Sequence, residues 1–129
     1  MKDSLIPGLT NEMRHTVTRA MAPGHIAAVV LSTPAMVGLI EQCCLLAVQP
    51  HLDDGEATVG THVCVSHESA VHEGQEFTVR CRLVSVEKRR LGFEVEVDGP
   101  ERPVSRGTHQ RAVIGLAGGL PTPPAGGSV

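Results

Sequence analysis

The sequence predicts an α+β domain in which an antiparallel β-sheet wraps around one long, apolar helix. The chain has 129 residues, which is enough for one hydrophobic core. A strongly apolar helical segment occupies residues 35–48, and four alternating, strand-like segments follow it. Such a sheet buries one face against the helix. Its other face meets water or a second copy of the chain, and this favours a homodimer.

Composition excludes several classes of protein. Hydrophobic residues make up 41% of the chain and charged residues 19%, which is typical of a globular domain. A net charge of −3 and only two aromatic residues argue against a nucleic-acid-binding surface. No segment has the length and apolar character of a signal peptide or a membrane span. The four cysteines lack the spacing of a disulfide scaffold, so we expect a reduced, cytoplasmic protein.

The helix has clear start and stop signals. Residues 13–18 form a short strand in this interpretation, and a loop follows at 20–24. Thr33 is the expected N-cap, because its hydroxyl can accept a bond from an unpaired backbone N–H. Pro34 then occupies the first helical position, and Pro50 ends the helix. Apolar residues cover most of the helix circumference, which predicts a buried helix.

The four strands after the helix are predicted to be consecutive and antiparallel. Each alternates between apolar and polar residues, and Gly-containing or basic turns separate some of them. The domain is therefore assigned to residues 1–116. The Gly- and Pro-rich tail, residues 117–129, is predicted to be disordered. The predicted strands cover residues 58–66, 76–86, 91–97 and 106–116.

Three side chains are candidates for acid–base or nucleophilic chemistry. Glu41 is the only acid in the apolar helix. If it is desolvated it can act as a general base, and if it lies on the polar stripe of the helix it is simply solvated. Thr33 is either a cap or a nucleophile with a base nearby. It lies eight residues before Glu41, roughly 12 Å along the helix, so the two side chains cannot bond directly. His67 follows a strand and can exchange protons near neutral pH.

A metal site is not expected. His62, Cys64 and His67 are close in sequence, but a strand would direct His67 to the face opposite the other two. Arg111 in the last strand can pair with an anionic ligand or with a carboxylate of a partner.

Four separated motifs together resemble the fluoroacetyl-CoA thioesterase family, whose members have the hot-dog fold. They occur in order between residues 31 and 116: MVGLIE at 36–41, GTHVCVSH at 60–67, SVEKRRL at 85–91 and GTHQRAVI at 107–114.

The resemblance implies a homodimer that hydrolyses a small acyl-CoA to the free acid and CoA near the dimer interface. The catalytic residues of the family fall on Thr33, Glu41 and His67. Its glycine and arginine in the acyl and CoA site fall on Gly60 and Arg111. No cofactor is implied, because CoA is part of the substrate.

Substrate and assembly remain open at this stage. Family members selective for a fluorinated acyl group are expected to carry aromatic side chains near the pocket mouth, and residues 20–35 contain none. A general small acyl-CoA is therefore the expected substrate. The alternatives are a hot-dog module that binds acyl-CoA or CoA without turnover, and a dehydratase or hydratase, whose usual Asp and His pair is not evident. The sequence does not decide between a dimer and a tetramer, or between CoA and acyl carrier protein.

Overall fold

A computed structural model describes residues 1–116, and the predicted disordered tail lies outside the described residues. Two single-turn 3-10 helices, Arg19–Met21 and Gln49–His51, accompany the regular elements. Within the described part, these elements are β1 (Thr10–Thr16), α1 (Thr33–Val48), β2 (Glu56–Val65), β3 (Glu76–Glu87), β4 (Arg90–Asp98) and β5 (Pro103–Gly115).

Ser32, and not Thr33, caps the central helix. The Ser32 Oγ accepts a hydrogen bond of 3.2 Å from the backbone N–H of Ala35, and its backbone is extended. The predicted cap was therefore wrong by one residue. Thr33 becomes the first helical residue and Pro34 the second, a position at which the missing N–H also costs no helical bond. This shift leaves the Thr33 hydroxyl free for another partner.

The sheet has the strand order β1-β3-β4-β5-β2, and every pairing is antiparallel. Strands β3, β4 and β5 form a meander as predicted, but β2 pairs with β5 and not with β3. The four strands after the helix are consecutive in the chain and antiparallel, as predicted, and the order of the sheet places β2 beside β5. The connection at 66–75 is not a tight hairpin, because it pairs with the segment before the helix. Leu31 N–H bonds to the carbonyl of Val71, and Glu73 N–H bonds to that of Val29.

The core lies between α1 and the inner face of the sheet. One stripe of the helix is buried, and its opposite face is not: the Leu46 side chain is 41% exposed. The apolar composition of the helix predicted burial around most of its circumference. Within one protomer, only one stripe of the helix is buried. The buried helical residues are Met36, Ile40, Cys43, Cys44, Ala47 and Val48.

All four cysteines are free. Among residues 1–116, no helix is both long enough and apolar enough to cross a membrane.

The cap assignment predicts different effects for two neighbouring residues. Ser32→Ala removes the bond to Ala35 N–H and should lower the free energy of unfolding by about 1 kcal/mol. Thr33→Ala removes no cap and should change it by less than about 0.5 kcal/mol. Urea unfolding of both variants measures the difference. Equal losses, or a larger loss in Thr33→Ala, would show that the cap assignment is wrong.

Candidate active site

The first residue of α1 meets a histidine that follows β2. The Oγ1 atom of Thr33 lies 2.7 Å from Nδ1 of His67. Backbone bonds on both sides fix His67 to β5, because Ser66 N–H donates to the Arg106 carbonyl and Glu68 N–H to that of Val104. The hydroxyl therefore has the nearby base that a nucleophilic or water-orienting threonine requires.

Two turns along the same helix, Glu41 faces an arginine of β5. Its Oε1 atom lies 3.8 Å from Nη1 of Arg111, and the two side chains are 40% and 5% exposed, respectively. Glu41 is therefore neither a desolvated acid nor a purely solvated residue. Its side chain is partly exposed to water, and its carboxylate faces the buried Arg111 cation.

Hydrogen bonds to two neighbours orient the Arg111 guanidinium. Nε donates to the Thr58 hydroxyl at 2.9 Å, and Nη2 donates to the Thr58 carbonyl at 3.0 Å. Nη1 lies 3.2 Å from Nε2 of His109. Burial lowers the pKa of Arg111, and the negative charge of Glu41 opposes that shift. The group keeps its charge at neutral pH, because a guanidinium is a very strong base.

Gly60 leaves the space in which these side chains meet. A Cβ atom at this position would collide with the Glu41 carboxylate, and it would lie 3.3 Å from Cε1 of His109 and 3.4 Å from Nη1 of Arg111. Gly60 also borders a register shift in the pairing of β2 with β5, next to His62. Any side chain here would displace Glu41, the flexible member of the group, so the position favours glycine.

The sequence-predicted site residues thus form two groups. Thr33 contacts His67, while Glu41 lies against Gly60 and Arg111. Both groups are attached to α1, one at its N-terminus and one in its middle.

The residues considered for a metal do not converge. His62 and Cys64 pair with Gln110 and Thr108 of β5, on the outer face of the sheet. His67 lies beyond the end of β2 and bonds to Thr33. Within residues 1–116, no group of three His, Cys, Asp or Glu side chains is arranged to hold a metal ion.

The sequence pattern of the fluoroacetyl-CoA-specific thioesterase family matches residues 11–117. The chain belongs to this family. A fluoroacetyl-CoA thioesterase of Streptantibioticus cattleyicolor is 44% identical over 87 residues, which are 67% of this chain and 63% of that protein. The match therefore spans less than two thirds of that relative.

Solved structures confirm the hot-dog fold that the sequence motifs implied. The fluoroacetyl-CoA thioesterase FlK superposes with a TM-score of 0.84 at 34% identity, over 88% of this chain and 91% of that one. A variant of FlK in complex with fluoroacetate and CoA has a TM-score of 0.81 at 35% identity, over 85% and 95% of the two chains. A thioesterase superfamily member from Thermus thermophilus shares the fold at 21% identity, with a TM-score of 0.82 over 90% and 88% of the chains.

Two residues of the site were not singled out from the sequence. Thr58 and His109 are both buried and both contact Arg111. Strand alternation contained the signal, because residues two apart on β5 share a face. His109 must therefore accompany Arg111 to the inner side of the sheet.

Burial of His109 predicts a specific pH dependence of stability. Burial lowers its pKa below the ordinary value of 6.5, and the nearby Arg111 charge acts in the same direction. Between the lowered pKa and 6.5, the unfolded chain binds more protons than the folded chain. The free energy of unfolding therefore falls as the pH drops below 6.5, and His109 contributes at most about 1.4 kcal/mol per pH unit.

The variant His109→Gln removes the titrating group and should show a shallower decline as the pH drops below 6.5. Urea unfolding at each pH gives the two slopes. His25→Gln, at an exposed position, is the matched control and should keep the wild-type slope. A His109→Gln slope as steep as that of the wild type would contradict a buried, neutral His109.

Proposed function

We propose that the protein hydrolyses the thioester of a small acyl-CoA to the free acid and CoA. The observation that carries this proposal is the 2.7 Å contact between the Thr33 hydroxyl and the His67 imidazole at the N-terminus of α1. A hydroxyl paired with an imidazole can attack or orient a nucleophile at a carbonyl carbon. Membership of the thioesterase family supports the same chemistry.

Thr33 either is the nucleophile or orients the attacking water, and His67 transfers the proton. His67 takes a proton from the Thr33 hydroxyl or from a water bound to it, and later returns it to the leaving CoA thiolate. The N-terminus of α1, where the helix dipole places partial positive charge, lies beside Thr33. This charge favours the oxyanion that forms when the thioester carbonyl is attacked.

Glu41 and Arg111 supply a fixed pair of charges on the other side of the acyl group. The Glu41 carboxylate is the base that activates water or the group that attacks the carbonyl, and Arg111 orients it. Gly60 lets the Glu41 carboxylate approach the backbone of β2, because no Cβ fills that space, and so places it beside the acyl group.

The acyl group is small and is not required to be fluorinated. The only aromatic residues of the chain are Phe77 and Phe93, and each is 1% exposed within the core. No Phe, Tyr or Trp side chain therefore borders the open surface at Thr33 and Glu41. We propose a general short acyl-CoA, with CoA as part of the substrate and no further cofactor. The free cysteines fit a reducing, cytoplasmic setting.

We also propose that two copies of the chain pair through β2. Strands β1 and β2 form the two edges of the sheet. Glu12 and Arg14 on β1 protect that edge, whereas residues 57–65 of β2 contain no Lys, Arg, Asp or Glu. All residues from Val59 to Cys64 are exposed in the protomer. An uncharged, exposed edge is a template for antiparallel pairing with its own copy.

A second copy at this edge would also help to close the site. Gly60 belongs to β2, and in the protomer Thr33 is exposed and Glu41 is half exposed. Hydrolysis of a bound thioester gains from exclusion of bulk water, which strengthens the fixed charges around the reacting carbonyl. Dimerisation and activity are therefore expected to depend on each other.

Hydrolysis of an acyl-CoA panel tests the proposed activity. Acetyl- to octanoyl-CoA and fluoroacetyl-CoA are offered to the wild type, to His67→Ala and to His25→Ala, whose exposed histidine is the matched control. We expect turnover of the short chains, a loss of about 10²- to 10⁴-fold in kcat for His67→Ala, and no change for His25→Ala. The ultraviolet absorbance of the thioester is followed, because exposed Cys64 would consume a thiol reagent.

Three results of the panel would contradict the proposal. CoA binding without turnover would identify a binding module. Equal rates for His67→Ala and the wild type would remove His67 from the mechanism. A strong preference for fluoroacetyl-CoA would show that selectivity does not need an aromatic residue at this site.

The proposed dimer predicts a charge effect at β2. Val59→Lys places like charges opposite each other across a two-fold interface, and it should lower the measured mass from twice the 13.6 kDa of the chain towards that of one chain. Val84→Lys is the matched control, because Val84 and Val59 are 39% and 40% exposed and Val84 lies on an interior strand. Light scattering after gel filtration measures both. A monomeric wild type, or dissociation of Val84→Lys alone, would refute pairing through β2.

A further inference from the structure

The His109 imidazole is enclosed on every side. It is 0% exposed, and its ring stacks on that of Phe93 from β4, with centroids 6.1 Å apart. Its Nδ1 atom lies 2.7 Å from the backbone carbonyl of His62, and its Nε2 atom lies 3.2 Å from Nη1 of Arg111. Both ring nitrogens therefore have one partner each.

These partners determine the tautomer. A carbonyl oxygen only accepts, so Nδ1 carries the proton and donates it to His62. A guanidinium only donates, so Nε2 accepts from Arg111 and carries no proton. The imidazole is thus neutral, and it connects the carbonyl of an edge strand to the guanidinium of its neighbour. The His62 carbonyl is available at this point because the pairing of β2 with β5 shifts register beside it.

Three charged or titratable groups surround His109: Arg111 of β5, Glu41 of α1 and Cys81 of β3. Burial and the Arg111 charge lower the pKa of the ring, the His62 hydrogen bond, Glu41 and Cys81 raise it, and the net shift is downward. A proton on Nε2 would point directly at the Arg111 guanidinium and would break the hydrogen bond between them. His109 is therefore unsuited to carry protons during a reaction, unlike His67 at the helix N-terminus.

The hydrogen bonds that hold the Arg111 guanidinium also determine how it faces Glu41. Thr58 holds two guanidinium nitrogens, Nε and Nη2, and His109 is the acceptor for Nη1. Nη1 is also the nitrogen that lies 3.8 Å from the Glu41 carboxylate. Without His109, this nitrogen would lose its fixed acceptor, and the guanidinium could turn away from Glu41.

We propose that His109 is a positioning residue, which holds Arg111, and through it the Glu41 carboxylate, in the acyl-CoA site. The inference rests on the proposed thioesterase function and adds a residue to it. His109 acts through its neighbours and does not touch the reacting atoms.

Two substitutions test the two hydrogen bonds of the His109 ring one at a time. His109→Gln places an amide oxygen near the position of Nε2, so it keeps the acceptor for Arg111 and loses the donor to His62. His109→Asn places an amide N–H near the position of Nδ1, so it keeps that donor and loses the acceptor. Each variant loses one buried hydrogen bond, and we expect similar decreases in melting temperature.

The two variants should differ in activity, although we expect their stabilities to be similar. We expect His109→Gln to keep kcat within about threefold of the wild type and His109→Asn to lose about 10- to 100-fold, since small displacements of an oriented group cost that much. The loss should fall on kcat more than on KM. In a Glu41→Gln background, the change His109→Asn should cost little more, because the group that it positions is already lost.

Spectroscopy tests the tautomer without any assay of activity. In ¹⁵N-histidine-labelled protein, the His109 resonances should show a proton on Nδ1 and none on Nε2 at pH 7. A charged ring, or a proton on Nε2, would overturn the inference. Equal kcat losses in the Gln and Asn variants, or full additivity with Glu41→Gln, would also overturn it. A wild type that hydrolyses no thioester would overturn the proposed function and, with it, this role.

Discussion

A guanidinium held away from water between two strands is the constraint on which the site depends. Removing such a charge from water costs several kcal/mol, and only well-placed partners offset that cost. Arg111 is 4% exposed, and three structural elements supply its partners: Thr58 from β2, His109 from its own strand and Glu41 from α1. These contacts fix the register of β2 on β5 and the rotation of the helix above them. The packing that satisfies the buried charge therefore also assembles the candidate site.

The local sequence pattern predicted the helix and the strands of the fold. It did not predict which strands pair when they are far apart in sequence. The run of apolar residues at 35–48 and the alternation of the later strands predicted α1 and β2 to β5 with only small shifts of their ends. The pairing of β2 with β5 had no local signal, because the two strands are far apart in sequence and no tight turn joins them. The cap was misplaced for a different reason. Ser32 and Thr33 are both good caps, and Pro34 fits the first or the second helical position.

Residue type and position along the chain singled out Thr33, Glu41 and His67, and the resemblance carried by the four family motifs then implied that all three are catalytic. Periodicity alone left Glu41 undecided between an inward and a solvated position, and the structure places it on the boundary, because its partner is buried while its own stem is not. His109 was overlooked although alternation along β5 sets it on the same face as Arg111. The sequence alone does not distinguish a strand histidine that holds an arginine from an ordinary core histidine. The two hydrogen-bond partners of the ring make that distinction, and only the structure shows them.

The two histidines of the site show why its chemistry is divided between two places on α1. An imidazole beside Arg111 is kept neutral by burial and by the neighbouring charge, as His109 is, and it can orient a group but cannot exchange protons near neutral pH. A proton carrier must therefore lie elsewhere, and His67 lies at the helix N-terminus with Thr33. Eight residues of helix, roughly 12 Å, separate Thr33 from Glu41. The helix thus holds the pair of Thr33 and His67 at a distance from the buried Arg111 charge, on the same rigid element that carries Glu41.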